Sequence, residues 1–387
     1  MEQPCCNESS PTHDASGGCC AEAPKKSAVE FALYQPAFDI QPQGPVYSES
    51  DNLPPWIEGF IGTAIGKIPV AGTSLNFTDT LGSWKARWGI NRMNYIVQPG
   101  LYGIGNPGAS SVVFVSANYK MSFDRLRKEL SGLDAWIMVI DTKGINVWCA
   151  AGKGTFGTEE IIRRIAAVQL SRVVSHRSII VPQLGAPGVA AHEVQKKSGF
   201  KVIYGPVRAS DIQEFLQAAM KATPEMRAVT FGFVDRLVLT PIEIVNIYKP
   251  VIGIAAALLV LHLTGLVKVS MWGIYPFIGA VIAGAVAGPV LLPWLPGRAF
   301  SVKGAVVGLL WTLLVLYVGN IARYGILNSL ALFLILPAIS AFLTLNFTGA
   351  STYTSLSGVR REMKFAIPVI ISSTALGLGL WLAGRFA

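Results

Sequence analysis

The chain has 387 residues, of which 51% are apolar and only 14% are charged. An ordinary soluble domain carries about 25% charged residues, so this composition excludes a disordered chain and argues against a purely soluble enzyme. The net charge is +9, and +8 of it lies between Ile244 and the C-terminus. Because the basic excess accompanies the hydrophobic half, it favours charges that flank membrane helices and excludes a nucleic-acid-binding face.

Residues 1–50 are rich in Ser, Pro, Gly and Gln and show no periodicity, which is typical of a disordered tail. Four of the five cysteines form two adjacent pairs in this tail, Cys5 with Cys6 and Cys19 with Cys20. Adjacent cysteines suit tetrahedral zinc poorly, but paired thiolates suit a soft, two-coordinate cation. A tail without any metal function is an equally open interpretation.

Residues 51–225 are predicted to form an α/β, Rossmann-like domain, because short apolar runs alternate with helical patterns. The predicted strands are Ser111–Ser116, Ala135–Ile140, Ser178–Val181 and Lys201–Tyr204. Predicted helices begin near Ser122 and Thr158 and cover Val189–Lys197 and Ser210–Lys221, the last with Ser210 and Gln213 spaced as a capping box. We expect a largely parallel sheet with its ligand at the carboxyl ends of the strands, in the loops after Ser116 and Ile140.

Three familiar motifs fail on inspection. The glycine-rich stretch 103–108 precedes a strand, whereas a dinucleotide fingerprint follows one. Around Gly152 and Lys153 a phosphate loop would need Gly at Val147 and Ser or Thr at Gly154. The pair His192-Glu193 lacks the second His of a zinc protease, so it indicates a surface helix.

The fifth cysteine, Cys149, follows a predicted buried strand and a Lys143-Gly144 turn, and it precedes the small residues 150–152. A single cysteine is usually a small buried hydrophobic residue. At the start of a helix, however, the anionic thiolate is favoured by the positive helix end, here with Lys153 nearby. Small residues also allow a flat ligand to approach the backbone, so Cys149 is a candidate metal ligand beside a planar cofactor.

Residues 226–246 are predicted to be a linker, and residues 247–387 an all-α bundle of five transmembrane helices. The predicted spans are about Val251–Val267, Met271–Pro293, Gly304–Val318, Ile326–Leu345 and Phe365–Ala383. No apolar run lies near Met1, so the first 243 residues are expected in the cytoplasm, with the chain in the cytoplasmic (inner) membrane and in contact with lipid. Within the spans His262 is the one ionisable side chain, which favours an anchor over a transporter.

The run Asn-Val-Trp-Cys-Ala-Ala-Gly-Lys at 146–153 resembles the signature of the membrane-bound corrinoid proteins of microbial mercury methylation. The resemblance extends to residues 116–124, to Asp141-Thr-Lys-Gly144 and to the order of a corrinoid domain followed by five spans. The strand–turn–helix pattern is also similar to the corrinoid domain of the corrinoid iron–sulfur protein of acetyl-CoA synthesis. That relative lacks the cysteine, so Cys149 separates the two families.

The resemblance implies a corrinoid cofactor, cobalamin or a related cobamide, with Cys149 as the lower axial ligand of cobalt. No Asp-x-His-x-x-Gly motif is present to supply a histidine instead. The implied cofactor-binding residues are the octapeptide and two residues after the first predicted strand: Asn146, Val147, Trp148, Cys149, Ala150, Ala151, Gly152, Lys153, Ser116 and Asn118. In this interpretation Asn146 caps the turn and Trp148 packs on the corrin rim, although both are equally compatible with structural roles.

The implied reaction is methyl transfer to Hg(II), giving methylmercury, because a thiolate donor favours release of the methyl group with carbanion character; radical transfer is the other route. The resemblance also implies a ferredoxin-like partner with two [4Fe–4S] clusters as reductant, and a methyltetrahydrofolate-linked methyl donor system. The four N-terminal cysteines would then capture Hg(II). A first alternative is a corrinoid methyl carrier of one-carbon (folate and acetyl-CoA) metabolism. A second is a membrane transporter for soft metals.

Overall fold

The computed structural model describes residues 47–48, 52–264, 271–319, 324–351 and 354–386, and within them a mixed α/β domain precedes a helical region. The strands are β1 Ile57–Thr63, β2 Gly66–Ala71, β3 Gly100–Ile104, β4 Val113–Ala117, β5 Ala135–Ile140, β6 Ser178–Val181 and β7 Lys201–Tyr204. The helices of the α/β domain are α1 Phe77–Arg87, α2 Lys120–Glu129, α3 Val147–Lys153, α4 Thr158–Ala167, α5 Leu170–Val173, α6 Ala191–Ser198, α7 Ile212–Gln217 and α8 Pro224–Arg227. The later helices are α9 Phe233–Leu237, α10 Thr240–Leu263, α11 Met271–Ile282, α12 Gly288–Val290, α13 Phe300–Gly319, α14 Ile326–Asn346 and α15 Leu356–Phe386.

The seven strands form one sheet in the order β1-β2-β3-β5-β4-β6-β7. Strands β5, β4, β6 and β7 are parallel, which confirms the prediction for this half. The other half is mixed, because β2 pairs parallel with β3 whereas β3 pairs antiparallel with β5 and β1 antiparallel with β2, so the sheet is largely but not wholly parallel. Only eight residues separate β3 from β4, too few for the crossover of a dozen or more residues that a parallel connection needs.

The structure confirms the four predicted strands. They could be recognised because each contains a run of apolar residues. Every residue of β4 and β5 is buried, as strands covered by helices on both faces require. The strands β1 and β2, which sequence analysis missed, contain Gly, Lys and Thr and are half-exposed. Helix α2 begins at Lys120, two residues before the predicted start, and the capping box at Ser210 is wrong because its hydroxyl donates to Asp211 instead.

Four helices of the C-terminal region are long and apolar enough to cross a membrane: Phe233–Ala257, Phe300–Gly319, Ile326–Gly349 and Ser357–Gly384. They overlap four of the five predicted spans. The remaining one, predicted as Met271–Pro293, is a shorter apolar helix over Ile274–Val290 and contains a π-helical turn at Ala283–Ala287. Five membrane spans therefore stay a prediction.

Small residues bring the apolar helices together at Gly284. A Cβ at Gly284 would lie 2.7 Å from the Cα of Ser340 on α14. The Ser340 hydroxyl donates to the Ala280 carbonyl at 2.8 Å, and the Thr344 hydroxyl donates to the Gly284 carbonyl at 2.9 Å. These bonds satisfy hydroxyl groups inside an apolar bundle, where small residues permit close helix approach.

Arg236 joins the α/β domain to the helical region. Its guanidinium is buried, with Nε donating to the Val290 carbonyl at 3.0 Å and Nη1 donating to the Phe231 carbonyl at 2.6 Å. Asp235 beside it forms an ion pair with Arg208 of the α/β domain at 3.0 Å. The segment predicted as a linker thus contains α9 and the first residues of α10, and it makes specific contacts on both sides.

Candidate functional site

The turn between β5 and α3 is organised by the buried side chain of Asn118, which follows β4. Its Oδ1 accepts hydrogen bonds from the Thr142 backbone N–H at 3.1 Å, the Thr142 hydroxyl at 2.8 Å and the Gly144 N–H at 3.0 Å. Its Nδ2 donates to Asp141 Oδ1 at 3.3 Å. Asn118 therefore connects the ends of two neighbouring strands and fixes the backbone that leads into the octapeptide.

Gly144 is required in this turn for two reasons. Its φ of +71° lies in the left-handed region, and Lys143 before it also has a positive φ of 59°. A Cβ at Gly144 would in addition lie 2.9 Å from the carbonyl oxygen of Met93. The Lys-Gly pair in the sequence therefore marks a real reversal of the chain, as predicted.

We expect Asn118→Ala to lower the free energy of unfolding by about 3 kcal/mol, because several buried donors would lose their acceptor at once. Chemical denaturation of the detergent-solubilised full chain measures this. The control is Asn94→Ala at an exposed asparagine, expected to change stability by less than about 0.5 kcal/mol. Equal, small losses for both variants would contradict the organising role of Asn118.

Helix α3 carries Cys149 in its first turn. The Asn146 side chain is the N-cap and accepts the Cys149 backbone N–H at 2.9 Å, which confirms the predicted capping of the turn. Ala150 and Ala151 are buried, whereas Trp148 and Cys149 are exposed, Trp148 by 42%. The helix therefore buries its small residues against the domain and presents the thiol and the indole to solvent.

The 3₁₀ segment Gln183–Gly188, which follows β6, packs against α3. A Cβ at Gly188 would overlap the Phe156 carbonyl oxygen and lie 3.2 Å from the Cα of Ala151. The two segments therefore approach as closely as their backbones allow. This contact places Ala151 of α3 directly against the 3₁₀ segment.

We expect Gly188→Ala to cost about 1–3 kcal/mol of stability, because the added methyl group would overlap the Phe156 carbonyl oxygen and crowd Ala151 of α3. A thermal unfolding series on the full chain measures the change. Gly108→Ala is the matched control, since a Cβ there meets no atom within 4 Å. If both glycine variants unfold at the wild-type temperature, the close approach does not constrain α3.

An open groove of about 600 Å³ runs along the carboxyl ends of the parallel strands, as predicted from the fold class. Ser116 at the end of β4, Pro182 after β6 and Gly205 after β7 line it, together with Asn146, Val147 and Trp148. Helices α1 and α2 form its other wall. Cys149 does not line the groove itself but lies next to Trp148 at its rim, exposed to any ligand that covers the opening.

These residues fit a large, flat cofactor that contains a soft metal. An exposed thiol beside a groove rich in apolar surface supplies one sulfur donor and leaves a broad face open. A Cβ at Gly152 would meet nothing within 4 Å, so the exposed side of α3 also leaves room.

A buried cluster of four charges holds the wall helix α1 against α2. The Lys120 ammonium lies 2.8 Å from Asp79 Oδ1 and 2.6 Å from Asp124 Oδ1. The Arg127 guanidinium lies 2.6 Å from Asp79 Oδ2 and 2.8 Å from Asp124 Oδ1, and it also donates to the Gly72 and Ser74 carbonyls. The charges of the two acids and the two bases sum to zero, so the cluster holds the two helices together and adds no net charge to the groove.

We expect the cluster to make the protein sensitive to acid. Burial alone would raise the pKa of Asp79, but the hydrogen bond from Lys120 and the charges of Lys120 and Arg127 hold this pKa below its ordinary value. A lowered folded pKa stabilises the protein above the unfolded value, and that contribution disappears as pH falls below about 4. Denaturation midpoints at several pH values should therefore fall less steeply for Asp79→Asn than for the wild type; parallel curves would contradict this.

The structure places the predicted site residues in three groups. Asn146, Val147, Trp148 and Ser116 line the groove, and Cys149, Gly152 and Lys153 are exposed beside it. Asn118, Ala150 and Ala151 are buried supports. The cysteines at positions 5, 6, 19 and 20 lie outside the described residues, and within the described part of the chain no cluster of three or more His, Cys, Asp or Glu side chains is placed to hold a metal ion.

Sequence analysis missed the groove wall from α1, including Asp79 and Arg87. One signal was available: Asn76 and Asp79 have the spacing of a capping box, which the structure shows complete, with the Asp79 N–H donating to Asn76 at 2.8 Å. The sequence gives no local pattern from which the position of α1 near the strand ends could be predicted, because this position depends on contacts between residues far apart in the chain.

Residues 91–216 match the family model described as CO dehydrogenase/acetyl-CoA synthase delta subunit. Over 124 residues the chain is 30% identical to the corrinoid/iron-sulfur protein large subunit of Moorella thermoacetica. The aligned region covers 32% of this chain and 27% of that protein. It is 31% identical over 123 residues to the acetyl-CoA decarbonylase/synthase complex subunit gamma of Methanopyrus kandleri and 28% identical to that of Archaeoglobus fulgidus, in each case covering 31% of this chain and 26% of the relative.

The chain thus spans about a quarter of the length of the curated relatives it matches. The matched region begins just before β3 and ends within α7, so it contains the parallel strands, the Asn118 turn and Cys149. The comparisons support a domain like those of corrinoid proteins. They do not extend to the apolar helices.

Proposed function

We propose that this chain is a corrinoid-dependent methyl-transfer protein, with the cofactor bound over the groove and Cys149 as an axial ligand of its cobalt. The observation that carries the proposal is the exposed Cys149 thiol, held on the first turn of α3 at the carboxyl end of β5 within the region that resembles corrinoid proteins. A corrinoid supplies a cobalt centre that accepts a methyl group and passes it to a second molecule.

The residues of the chain divide the remaining work. Asn146 caps α3 and orients its first turn, so the sulfur position is fixed by backbone geometry. Asn118 holds the preceding turn, and Gly188 holds α3 at close range from the other side. Trp148, exposed next to the thiol, would offer an apolar indole surface to the bound cofactor. Ser116 contributes to the groove floor.

The first candidate acceptor system is one-carbon metabolism, with the chain acting as a methyl carrier. This function is supported by the comparisons, because the relatives are named as subunits of acetyl-CoA decarbonylase/synthase and as a corrinoid/iron-sulfur protein. Its partners would be an iron–sulfur protein as reductant and a methyltetrahydrofolate-linked donor. The apolar helices would anchor the reaction at the cytoplasmic membrane, with the α/β domain in the cytoplasm.

The second candidate acceptor is Hg(II), and the observation that favours it is again Cys149. A thiolate is a strong, soft donor, and placing it on the metal favours transfer of the methyl group to a soft electrophile. The octapeptide at 146–153 resembles that of the mercury-methylating family. The paired cysteines of residues 1–50 would deliver Hg(II) in this case.

One experiment tests both candidates on the detergent-solubilised full chain. The protein is loaded with methylcobalamin carrying a labelled methyl group and then offered either a thiol complex of Hg(II) or tetrahydrofolate with the cell's methyltransferase fraction. Labelled methylmercury formed faster than by free methylcobalamin supports the mercury function, and labelled methyltetrahydrofolate alone supports the carrier. If the folded chain retains no cobalamin on gel filtration, the corrinoid assignment is wrong.

A further inference from the structure

The wall of the groove formed by α1 and α2 carries positive charge that no acid neutralises. Arg87 at the end of α1 and Arg125 and Lys128 on α2 all line the groove. Within the described residues, no carboxylate lies within ion-pair distance of any of the three. The two acids that reach the groove, Asp79 and Asp124, are already bound by Lys120 and Arg127.

Arg87 is unusual among these bases because part of its guanidinium is buried without a partner. The residue is half-buried, and its Nε is inaccessible to solvent and forms no hydrogen bond with the described atoms. Burial, together with the nearby charge of Arg125, lowers the pKa of Arg87 below its ordinary value. A buried donor without an acceptor costs about 1–3 kcal/mol, so the Arg87 Nε needs a partner, which a bound anion or an ordered water can supply.

The surroundings of Arg87 favour an anion with several oxygen atoms. Arginine presents a planar fork of donors that matches the geometry of phosphate. Ser83 on α1 and Ser122 on α2 line the same part of the groove and offer hydroxyl donors. Arg92 stacks on the ring of Tyr119, which also lines the groove, with its Cζ 5.9 Å from the ring centre, and adds to the positive field.

We propose that Arg87 and Arg125 form an anion subsite that binds the phosphodiester of the cofactor's nucleotide loop. This inference rests on the proposed corrinoid function and adds a second point of recognition to it. The side chains around a corrin ring are neutral amides, and the phosphodiester of the loop is the anion of a complete cobamide. With Cys149 on the metal, the nucleotide base is displaced, and the subsite retains the released loop in the same groove that Asn146 and Trp148 line.

The test compares two probes that differ in the loop, cobalamin and cobinamide, which lacks the phosphate and the nucleotide. Each is titrated by absorption into the full chain in non-ionic detergent. We expect the wild type to prefer cobalamin by about tenfold or more, as for hydrogen bonds to a charged group. Arg87→Met and Arg125→Gln should remove most of this preference while leaving the affinity for cobinamide within about threefold.

Lys85→Ala is the matched control, because Lys85 is an exposed base on α1 that does not line the groove. It should retain the cobalamin preference. Thermal unfolding gives a second measurement, since Arg87→Met should unfold at or above the wild-type temperature if Arg87 is kept for a ligand. A lower unfolding temperature together with an unchanged preference would assign Arg87 to the fold and overturn the subsite.

The remaining outcomes separate the two proposals. If the ratio of cobalamin affinity to cobinamide affinity is the same in Arg87→Met and Arg125→Gln as in the wild type, the subsite is wrong and the corrinoid function stands. If the wild type binds neither, both are wrong. A lipid phosphate is the other source of the same anion chemistry: equal binding of both corrinoids, together with phosphatidylglycerol that co-purifies with the wild type and is lost in Arg87→Met, would assign the arginines to lipid and overturn the proposal.

Discussion

Replacing Cys149 with alanine in the full chain should leave cobalamin bound but abolish the absorption features of sulfur ligation. We expect methyl transfer to Hg(II) to fall by about a hundredfold or more, which corresponds to about 2.7 kcal/mol in the barrier. The thiol is exposed, so its removal should change the free energy of unfolding by less than about 0.5 kcal/mol. Absorption spectra, transfer rates and unfolding midpoints of the same preparation measure the three quantities.

Two matched variants make this result specific to the sulfur atom. Cys149→Ser retains the size and position of the side chain but replaces the soft donor with a hard one, and it should resemble Cys149→Ala. Trp148→Ala removes the exposed neighbour and should weaken cobalamin binding while the sulfur-ligation spectrum persists. If Cys149→Ala and the wild type have the same spectrum and transfer rate, the thiol is not a ligand, and the methyl-carrier function is favoured without thiolate activation.

The fold could be predicted where a buried element consists of consecutive apolar residues. Strands β4 and β5 are covered on both faces and are therefore continuous apolar runs, which the sequence displays directly. Strand β3 is equally buried, yet its residues are Gly-Leu-Tyr-Gly-Ile, and its position between β2 and β5 depends on a pairing that no periodicity encodes. The parallel half was thus accessible from the sequence, and the mixed edge was not.

The candidate site shows the same division. The turn at Lys143-Gly144 and the helix cap at Asn146 depend on residues that are close together in the chain, so both could be predicted from the sequence. Asn118 is predicted from the resemblance to bind the cofactor, and what the structure adds is that its side chain is buried and accepts the Gly144 N–H, so it positions the turn. The approach of Arg87 to Arg125 joins two helices that are separated by β3 and β4, and only the folded chain reveals it.

The second large effect concerns the buried charge cluster. Arg127→Met should lower the free energy of unfolding by about 3–5 kcal/mol, because two buried carboxylates would share the single charge of Lys120. The Gly72 and Ser74 carbonyls would also lose their donor. At pH 7 the thermal midpoint of the α/β domain, followed by near-ultraviolet circular dichroism, should fall by about 10 °C or more.

The control for this variant is Arg163→Met, which removes an exposed arginine paired with Glu160 on the surface of α4. The Arg163 side chain is exposed and Glu160 keeps its ion pair with Arg164 at 3.1 Å, so this variant should unfold close to the wild type. Because the cluster holds α1 in place, Arg127→Met should also weaken cobalamin binding at temperatures where the domain is still folded. Equal midpoints for the two arginine variants would show that α1 is held by its apolar contacts, and the groove wall would then not depend on the cluster.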